Sequence, residues 1–313
     1  MNRKLLVCGS LKQMQVLRVC TKFSEMGVPY MVIDHENHTP ISFDPDLHQL
    51  HINSEIIDPA AIWASDKHFV HPFGFTTEWA ERKATSIEWH GTLTNLYNYY
   101  SNITYNPFSS RSFEQKKLFQ LKLANSIGMR TPRSLLTNDD SAIDYHFKNS
   151  AKLLVKGIGI NTLPIVRQQG VVEAFTPASK LYKKEYLTHY LRHNLCSPVF
   201  VQEYISGNYD YRIIVIGNSI FVVRIDKPNN IIDSRILGME QNFSFIQVDD
   251  NIKTKLQTFM KRANIVFGHF DFVSIDGNDF VFLECNPNGM WGLYDEEWRI
   301  SSAYARFFAD LVL

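Results

Sequence analysis

An α+β fold that opens on a parallel, open sheet is what this sequence predicts, and three stretches predict it. Residues 4–8 are apolar, residues 12–26 carry Val16, Val19, Cys20, Phe23 and Met26 at helical spacing before Gly27, and residues 30–33 are apolar again, so the chain begins β-α-β. Residues 211–216 and 220–225 are β-runs around Gly217-Asn218, a hairpin signal. Residues 270–275 and 280–285 repeat the pattern around Asp276, Gly277, Asn278 and Asp279. The 313 residues leave room for two or three small domains, and 45% hydrophobic with 20% charged residues is ordinary for a soluble globular chain.

Composition excludes several classes. With 32 basic and 32 acidic residues the formal net charge is zero, so neither nucleic acid nor an acidic membrane surface is expected as a partner. Cys8, Cys20, Cys196 and Cys285 are widely spaced without a CxxC pair, which argues against a zinc site or a disulfide framework and for the reduced cytoplasm. The basic start is followed by too short an apolar run for a signal peptide, and no run approaches the ~18 apolar residues of a membrane span.

Gly9-Ser10 after the first strand is not a GxGxxG fingerprint, so the opening is expected to be a structural Rossmann-like layer rather than a nicotinamide or flavin site. Residues 35–58 look irregular, with short strand-like pieces such as 48–52. Residues 62–75 are rich in Trp63, His68, Phe69, His71 and Phe73, expected as packed or surface residues rather than metal ligands. Residues 77–100 predict a helix burying Trp79, Ile87, Leu93, Leu96 and Tyr97. A short strand at 103–105 stops at Asn106-Pro107, where a domain boundary is placed. Ser112 and Gln115 read as a capping box for a helix over 113–127 with Leu118, Phe119, Leu121, Leu123 and Ile127 inward and Gly128 as its stop. Residues 176–192 predict a helix with a charged, solvated face. Residues 199–205 predict a strand, residues 252–263 a helix, and residues 300–313 a last helix burying Ala303, Phe307, Phe308 and Leu311.

The chemistry concentrates in residues 268–291. A tight turn centred on Gly277 and Asn278 pairs Ile275 with Phe280 and Asp271 with Glu284, and period two puts Asn286 on the face of Glu284. Like charges opposed across strands repel, so something must neutralise them. An oxygen-only set suits a hard divalent cation, best magnesium that keeps waters and bridges phosphates; the alternative is a polar sheet edge with both acids in water. Lys156 ends an apolar strand and is followed by Gly157 and Gly159, which reads either as a phosphate cradle or as a hairpin turn. Asp210 and Arg212 start one strand, Arg224 lies on the next, and Arg235 follows in a polar loop.

The order of these features is more specific than any one of them. A capped helix with Lys117, a strand ending on Lys156, the segment Gln202-Glu203-Tyr204-Ile205, Asp210-x-Arg212, and then Asp271 with Glu284 and Asn286 resemble the ATP-grasp superfamily of carboxylate–amine ligases over roughly residues 106–313. Within it the chain is similar to the ribosomal-protein glutamate ligases. It is closer to the microviridin-type (graspetide) ligases that cross-link ribosomally made peptides. Glu284-Cys285-Asn286-Pro287-Asn288-Gly289-Met290-Trp291-Gly292 and the Asn106-Pro107…Lys117…Gln120-Leu121…Ala124 spacing point there. The resemblance implies a pre-ATP-grasp domain over 1–106 and two lobes, 107–198 and 199–313, that clamp ATP. It implies Lys117 and Lys156 on the nucleotide phosphates, and the hinge 202–205 on the adenine through the backbone of Glu203 and Ile205. It further implies Asp210 as a nucleotide-contacting acid and Arg212, Arg224 and Arg235 on the phosphate and acyl-phosphate oxygens. Asp271, Glu284 and Asn286 would hold magnesium, and Asn288 and Trp291 would shape the acceptor side. Ser234 stands where the family has Trp and Met290 where it often has Gln; these departures bear on the peptide held, not on the nucleotide.

The activity so implied is ATP-dependent joining of Asp or Glu side chains to Lys, Ser or Thr within a precursor peptide of leader and core, through an acyl phosphate. A homodimer is a further expectation from the resemblance. Two other readings stand beside it: a ligase adding a free amino acid to a peptide or small molecule, and a non-catalytic ATP- or partner-binding module.

Overall fold

The computed structural model describes residues 3–65, 79–106, 113, 116–157, 163–166, 172–175, 180–187, 198–228 and 240–313. The capping box at Ser112 and Gln115, the glycine Gly159, the His68 to Phe73 cluster, Cys196 and Arg235 therefore lie outside the described residues.

The N-terminal layer is built from β1 (Arg3–Cys8), α1 (Met14–Glu25), β2 (Tyr30–Ile33), β3 (Ile41–Asp44), β4 (Gln49–Ile52), β5 (Glu55–Ala64), α2 (Trp79–Tyr99) and β6 (Thr104–Tyr105). Its sheet has the order β2-β1-β5-β4-β3 with β6 on β5; β1 is parallel to β2 and β5, as the β-α-β opening requires. Residues 41–64 are more regular than their sequence suggests. Pro59 interrupts the apolar run, which argues against a strand, and the sheet absorbs it with a register shift at Lys4/Leu5. In α2 the face Leu93, Leu96 and Tyr97 is buried as expected, whereas Ile87 is 58% exposed.

After α3 (Lys117–Ser126), β7 (Ser134–Thr137) and α4 (Asp140–His146) comes a central lobe. It contains β8 (Lys152–Lys156), the ribbon of β9 (Leu163–Val166) and β10 (Val172–Phe175), then β11 (Lys180–Lys183) and β12 (Val199–Glu203). Its sheet runs β11-β8-β12-β7. Two expectations fail here. Lys180–Lys183 is a strand, not part of a helix over 176–192, because it pairs with β8 from Lys180↔Val155 to Lys183↔Lys152; only residues 184–187 are helical in the described part. Such tertiary pairing overrides local propensity. α3 starts at Lys117 rather than Phe113, and Leu118 and Phe119 point to solvent while Leu121, Leu123 and Ala124 are buried.

The C-terminal sheet holds β13 (Tyr209–Ile216), β14 (Ser219–Asp226), β15 (Phe243–Ile246), β16 (Phe267–Ser274) and β17 (Val281–Asn286), in the order β15-β14-β13-β16-β17; α5 (Asp250–Ala263) and α6 (Arg299–Val312) cover it. Asp249 caps α5 by accepting from Ile252 N, and Asn264 at φ 53° ends it. Period two divides this sheet. Ile214, Ile216, Val223, Ile225 and Phe267 face the N-terminal layer, where α1 and α6 share one core with Leu5, Val7 and Trp63. Ile213, Val215, Val222, Phe270 and Phe282 face α3 and α5. The last helix thus completes the first domain: Phe308 packs on Phe23 and Trp63.

Candidate functional site

The hairpin β16–β17 sets the site. Asp271 pairs with Glu284, as the turn geometry predicts, but the turn is longer than expected. Residues 275–280 form the loop, and a bulge leaves Leu283 without a partner between the pairs Asp271↔Glu284 and Phe272↔Phe282. The bulge lets Phe282 and Cys285 both enter the core while Glu284 and Asn286 stay on the Asp271 face.

The two acids are neutralised from within the protein. Arg212, directly opposite Asp271 in register, places Nε 2.7 Å from Asp271 Oδ1. Lys117 Nζ lies 2.7 Å from Glu284 Oε2, and all four side chains are at most 16% exposed. Lys117 arrives because Gln120 docks α3 on the edge of β17. The Gln120 amide donates to Cys285 O (3.0 Å) and accepts from Cys285 N (2.8 Å), imitating a strand partner. Lys117 sits three residues earlier on the same helix face. Asn286 Nδ2 donates to Glu284 Oε1 at 3.4 Å. Burial, joined by the charges of Asp271 and Glu284, drives the Cys285 thiol well above its ordinary range and keeps it inert.

Arg212, Asp271 and Glu284 line one cleft of about 750 Å³, open to solvent, between the central and C-terminal sheets. It gathers Lys156, Gln202, Glu203, Tyr204, Ile205, Asp210, Arg212, Asp271 and Glu284. Lys156 Nζ donates to Gln202 Oε1 at 2.7 Å. Lys227, which sequence reasoning missed, joins them: it is buried, lines the cleft and bonds Asp210 Oδ1 at 2.9 Å. Its signal was the one used for Lys156, a lysine at the end of an apolar strand.

Two expected members stand apart. Arg224 pairs with Tyr211, so the alternation of β14 turns it to the opposite face; its Cζ lies 5.1 Å from the Tyr209 ring centre and its Nε 3.2 Å from Asp226 Oδ1. Trp291 is 2% exposed, stacked on Tyr304, and lies outside this cleft. Arg235 is outside the described residues.

In the segment 202–205, Glu203 N donates to Arg133 O (2.8 Å), so that amide is engaged within the protein. Burial raises the Glu203 carboxyl, but hydrogen bonds from Arg133 and Ser150 and the charge of Arg133 outweigh it and hold the group below its ordinary value of 4.5. The depressed carboxyl stabilises the fold above pH 4.5, and that contribution is lost as pH falls through the lowered value. Arg133→Met is therefore expected to lose less stability than the parent between pH 7 and pH 4, as urea unfolding at both pH values would show. Equal acid losses would count against the clamp.

The donor set can be tested against a metal. Among the described residues no cluster of three His, Cys, Asp or Glu side chains could hold an ion. Two carboxylates plus one amide oxygen instead suit magnesium, which takes one or two carboxylates and completes its shell with phosphates and water. Lys117 and Arg212 already engage those carboxylates through Glu284 Oε2 and Asp271 Oδ1, so they compete with a cation for the same negative charge. Lys117→Met is expected to tighten Mn²⁺ binding to the nucleotide-free protein about fivefold, the value of roughly 1 kcal/mol for a partly exposed ion pair. Manganese electron paramagnetic resonance reads this directly, and unchanged or weaker binding would contradict it.

No helix among the described residues is long and apolar enough to cross a membrane. No family model matches the chain, and no curated protein matches it significantly. Solved structures do. It is similar to the macrocyclase MdnC bound with precursor peptide MdnA from Microcystis aeruginosa MRC, at 18% identity over 98% of this chain and 99% of that one, TM-score 0.79. A Chryseobacterium gregarium RiPP-associated ATP-grasp ligase, in complex with ADP and a leader and core peptide, matches at 16% identity over 99% and 97%, TM-score 0.78. The ATP-grasp ligase PsnB, complexed with a phosphomimetic variant of its minimal precursor, Mg and ADP, matches at 17% identity over 100% of both chains, TM-score 0.73. The chain has the ATP-grasp fold.

Proposed function

We propose that this chain is a cytoplasmic, ATP- and magnesium-dependent ligase that joins carboxylates to amines or hydroxyls within a ribosomally made precursor peptide. One observation carries the reading: a single cleft between two sheets gathers the hinge 202–205, Lys156, Asp210, Arg212, Asp271 and Glu284. Fold-mates with precursor peptides, ADP and magnesium bound support it.

Bound magnesium would supply charge neutralisation at the phosphates, held by Asp271, Glu284 and Asn286. The chain's own residues do the rest. Lys156, and Lys117 and Arg212 once released from Glu284 and Asp271, are cations for the phosphate oxygens and for the acyl phosphate made on the substrate carboxylate. Lys227 holds Asp210 in place. The chemistry requires that water be kept from the activated carboxylate, which it would otherwise hydrolyse.

The test is the intact mass of a small peptide encoded beside this protein after incubation with the protein, ATP and magnesium. Loss of one water per bond is expected. A gain of one amino-acid residue would select an amino-acid ligase instead, and no change with no ATP consumed would select a binding module.

A further inference from the structure

We propose that a second cavity, between the N-terminal sheet and the loop after β17, is a subsite for an uncharged, hydroxyl-bearing side chain of the substrate; this deepens the ligase reading and rests on it. The cavity is lined by Gln15, Trp63, Ser65, His269, Asn288, Gly289, Trp291 and Tyr304. Gln15 lies in the first turn of α1 and Ser65 just beyond β5. They therefore meet at the carboxyl ends of the parallel strands β1 and β5, where the chain has departed from β1 to β2 on one side and returned as β5 on the other. That is the crevice where open parallel sheets take ligands.

Three polar side chains there are open to a ligand. Gln15 is 8% exposed and Ser65 6%, and neither they nor Asn288 have a side-chain hydrogen bond among the described residues. None of their polar atoms is sealed away from solvent, so a ligand group entering the cavity meets all three as hydrogen-bonding partners. The opposite wall is firm. A Cβ on Gly289 would stand 2.4 Å from the Cβ of His269, so only glycine lets the loop lie on the sheet. The His269 ring is fixed on both sides: Nδ1 lies 2.9 Å from Gly289 N and 2.9 Å from Asn286 O, and Nε2 lies 3.3 Å from the Tyr304 hydroxyl.

The ligand class follows from size and charge. The cavity measures about 220 Å³ with its open mouth, and its enclosed part takes about one water-sized group, which a hydroxyl matches. No charged side chain is among its described lining residues, so an ammonium or carboxylate would be buried unpaired. That disfavours a zwitterionic free amino acid and favours a serine or threonine side chain within a peptide. The location is also right. The pair His269↔Asn286 lies one step of two residues, about 7 Å, from Asp271↔Glu284 on the same sheet face.

Saturation-transfer NMR on the full chain, with N-acetyl-threonine amide and N-acetyl-lysine amide as probes, tests this. The parent protein is expected to favour the threonine probe about tenfold, and Gln15→Leu to erase the preference. Ser65→Ala, expected to weaken it severalfold, serves if Gln15→Leu does not fold. Equal binding of the two probes, or a preference that survives both variants, overturns the assignment. ATP affinity in the same samples reads the ligase proposal separately: ATP bound without probe preference sinks the subsite alone, and probe preference without ATP binding sinks the ligase reading and with it the cavity's role as a subsite of that ligase.

Discussion

Glu284→Gln is expected to lower ATP-dependent turnover by at least about 100-fold, since even outer partners of a metal site cost that much when removed. The change keeps the shape of the side chain and its place opposite Asp271. It removes one of only two carboxylates in the oxygen set, so the remaining Asp271 and Asn286 cannot neutralise a divalent cation on a triphosphate. Lys156→Ala is expected to fall as far, by loss of a point charge at the other wall of the cleft. Stability should barely move. Glu284→Gln loses the 2.7 Å contact with the Lys117 charge, yet it also removes the repulsion between paired carboxylates. The net change is expected within about 1 kcal/mol, a few degrees in Tm for a chain of this size. Turnover measured beside a thermal melt decides the matter. A folded Glu284→Gln protein with parental turnover would remove the basis for the metal and phosphate assignments alike.

What the sequence made legible is what depends on local periodicity. The Asp271–Glu284 pairing followed from turn residues and the two-residue repeat, and it survived a turn longer than expected because the bulge at Leu283 restores the register on the site side. Lys156 was read from a strand end, whereas the segment 202–205 and Asp210 were singled out only through the resemblance. Arg224 was legible too, had its strand been paired: a residue opposite Tyr211 cannot share a face with Arg212. Lys180–Lys183 was not legible, because four residues carry too weak a pattern to override the charged, helix-like run around them; only the free edge of β8 makes them a strand. Nor were the counter-ions. That paired acids need neutralising could be inferred, but that Lys117 does it depends on Gln120 docking a helix against a strand far away in sequence. The subsite at Gln15 and Ser65 is a further case, since it exists only where the first and last parts of the chain meet.

Asn106→Ala is expected to cost about 4 kcal/mol, on the order of 10 °C in Tm, although Asn106 touches none of the cleft. It follows β6 at the place where the sequence suggests a boundary, and it is fully buried. Its amide is used completely. Oδ1 accepts from Val266 N (2.9 Å) and Phe267 N (3.0 Å), while Nδ2 donates to Phe267 O (3.0 Å) and Pro287 O (3.1 Å). One side chain thus ties the N-terminal sheet to the start of β16 and to the residue after Asn286, so it braces both ends of the hairpin that carries the acids. Alanine leaves those backbone groups buried without partners and also sits poorly at the φ of 49° that asparagine tolerates. Asn106→Gly should recover about 1 kcal/mol of the loss, because it relieves the backbone term and not the hydrogen bonds. Asn106→Asp should recover none, since it sets a carboxylate against the carbonyls of Phe267 and Pro287. Urea unfolding of the three variants ranks them, and an Asn106→Ala protein within 1 kcal/mol of the parent would mean that water replaces the amide at this junction.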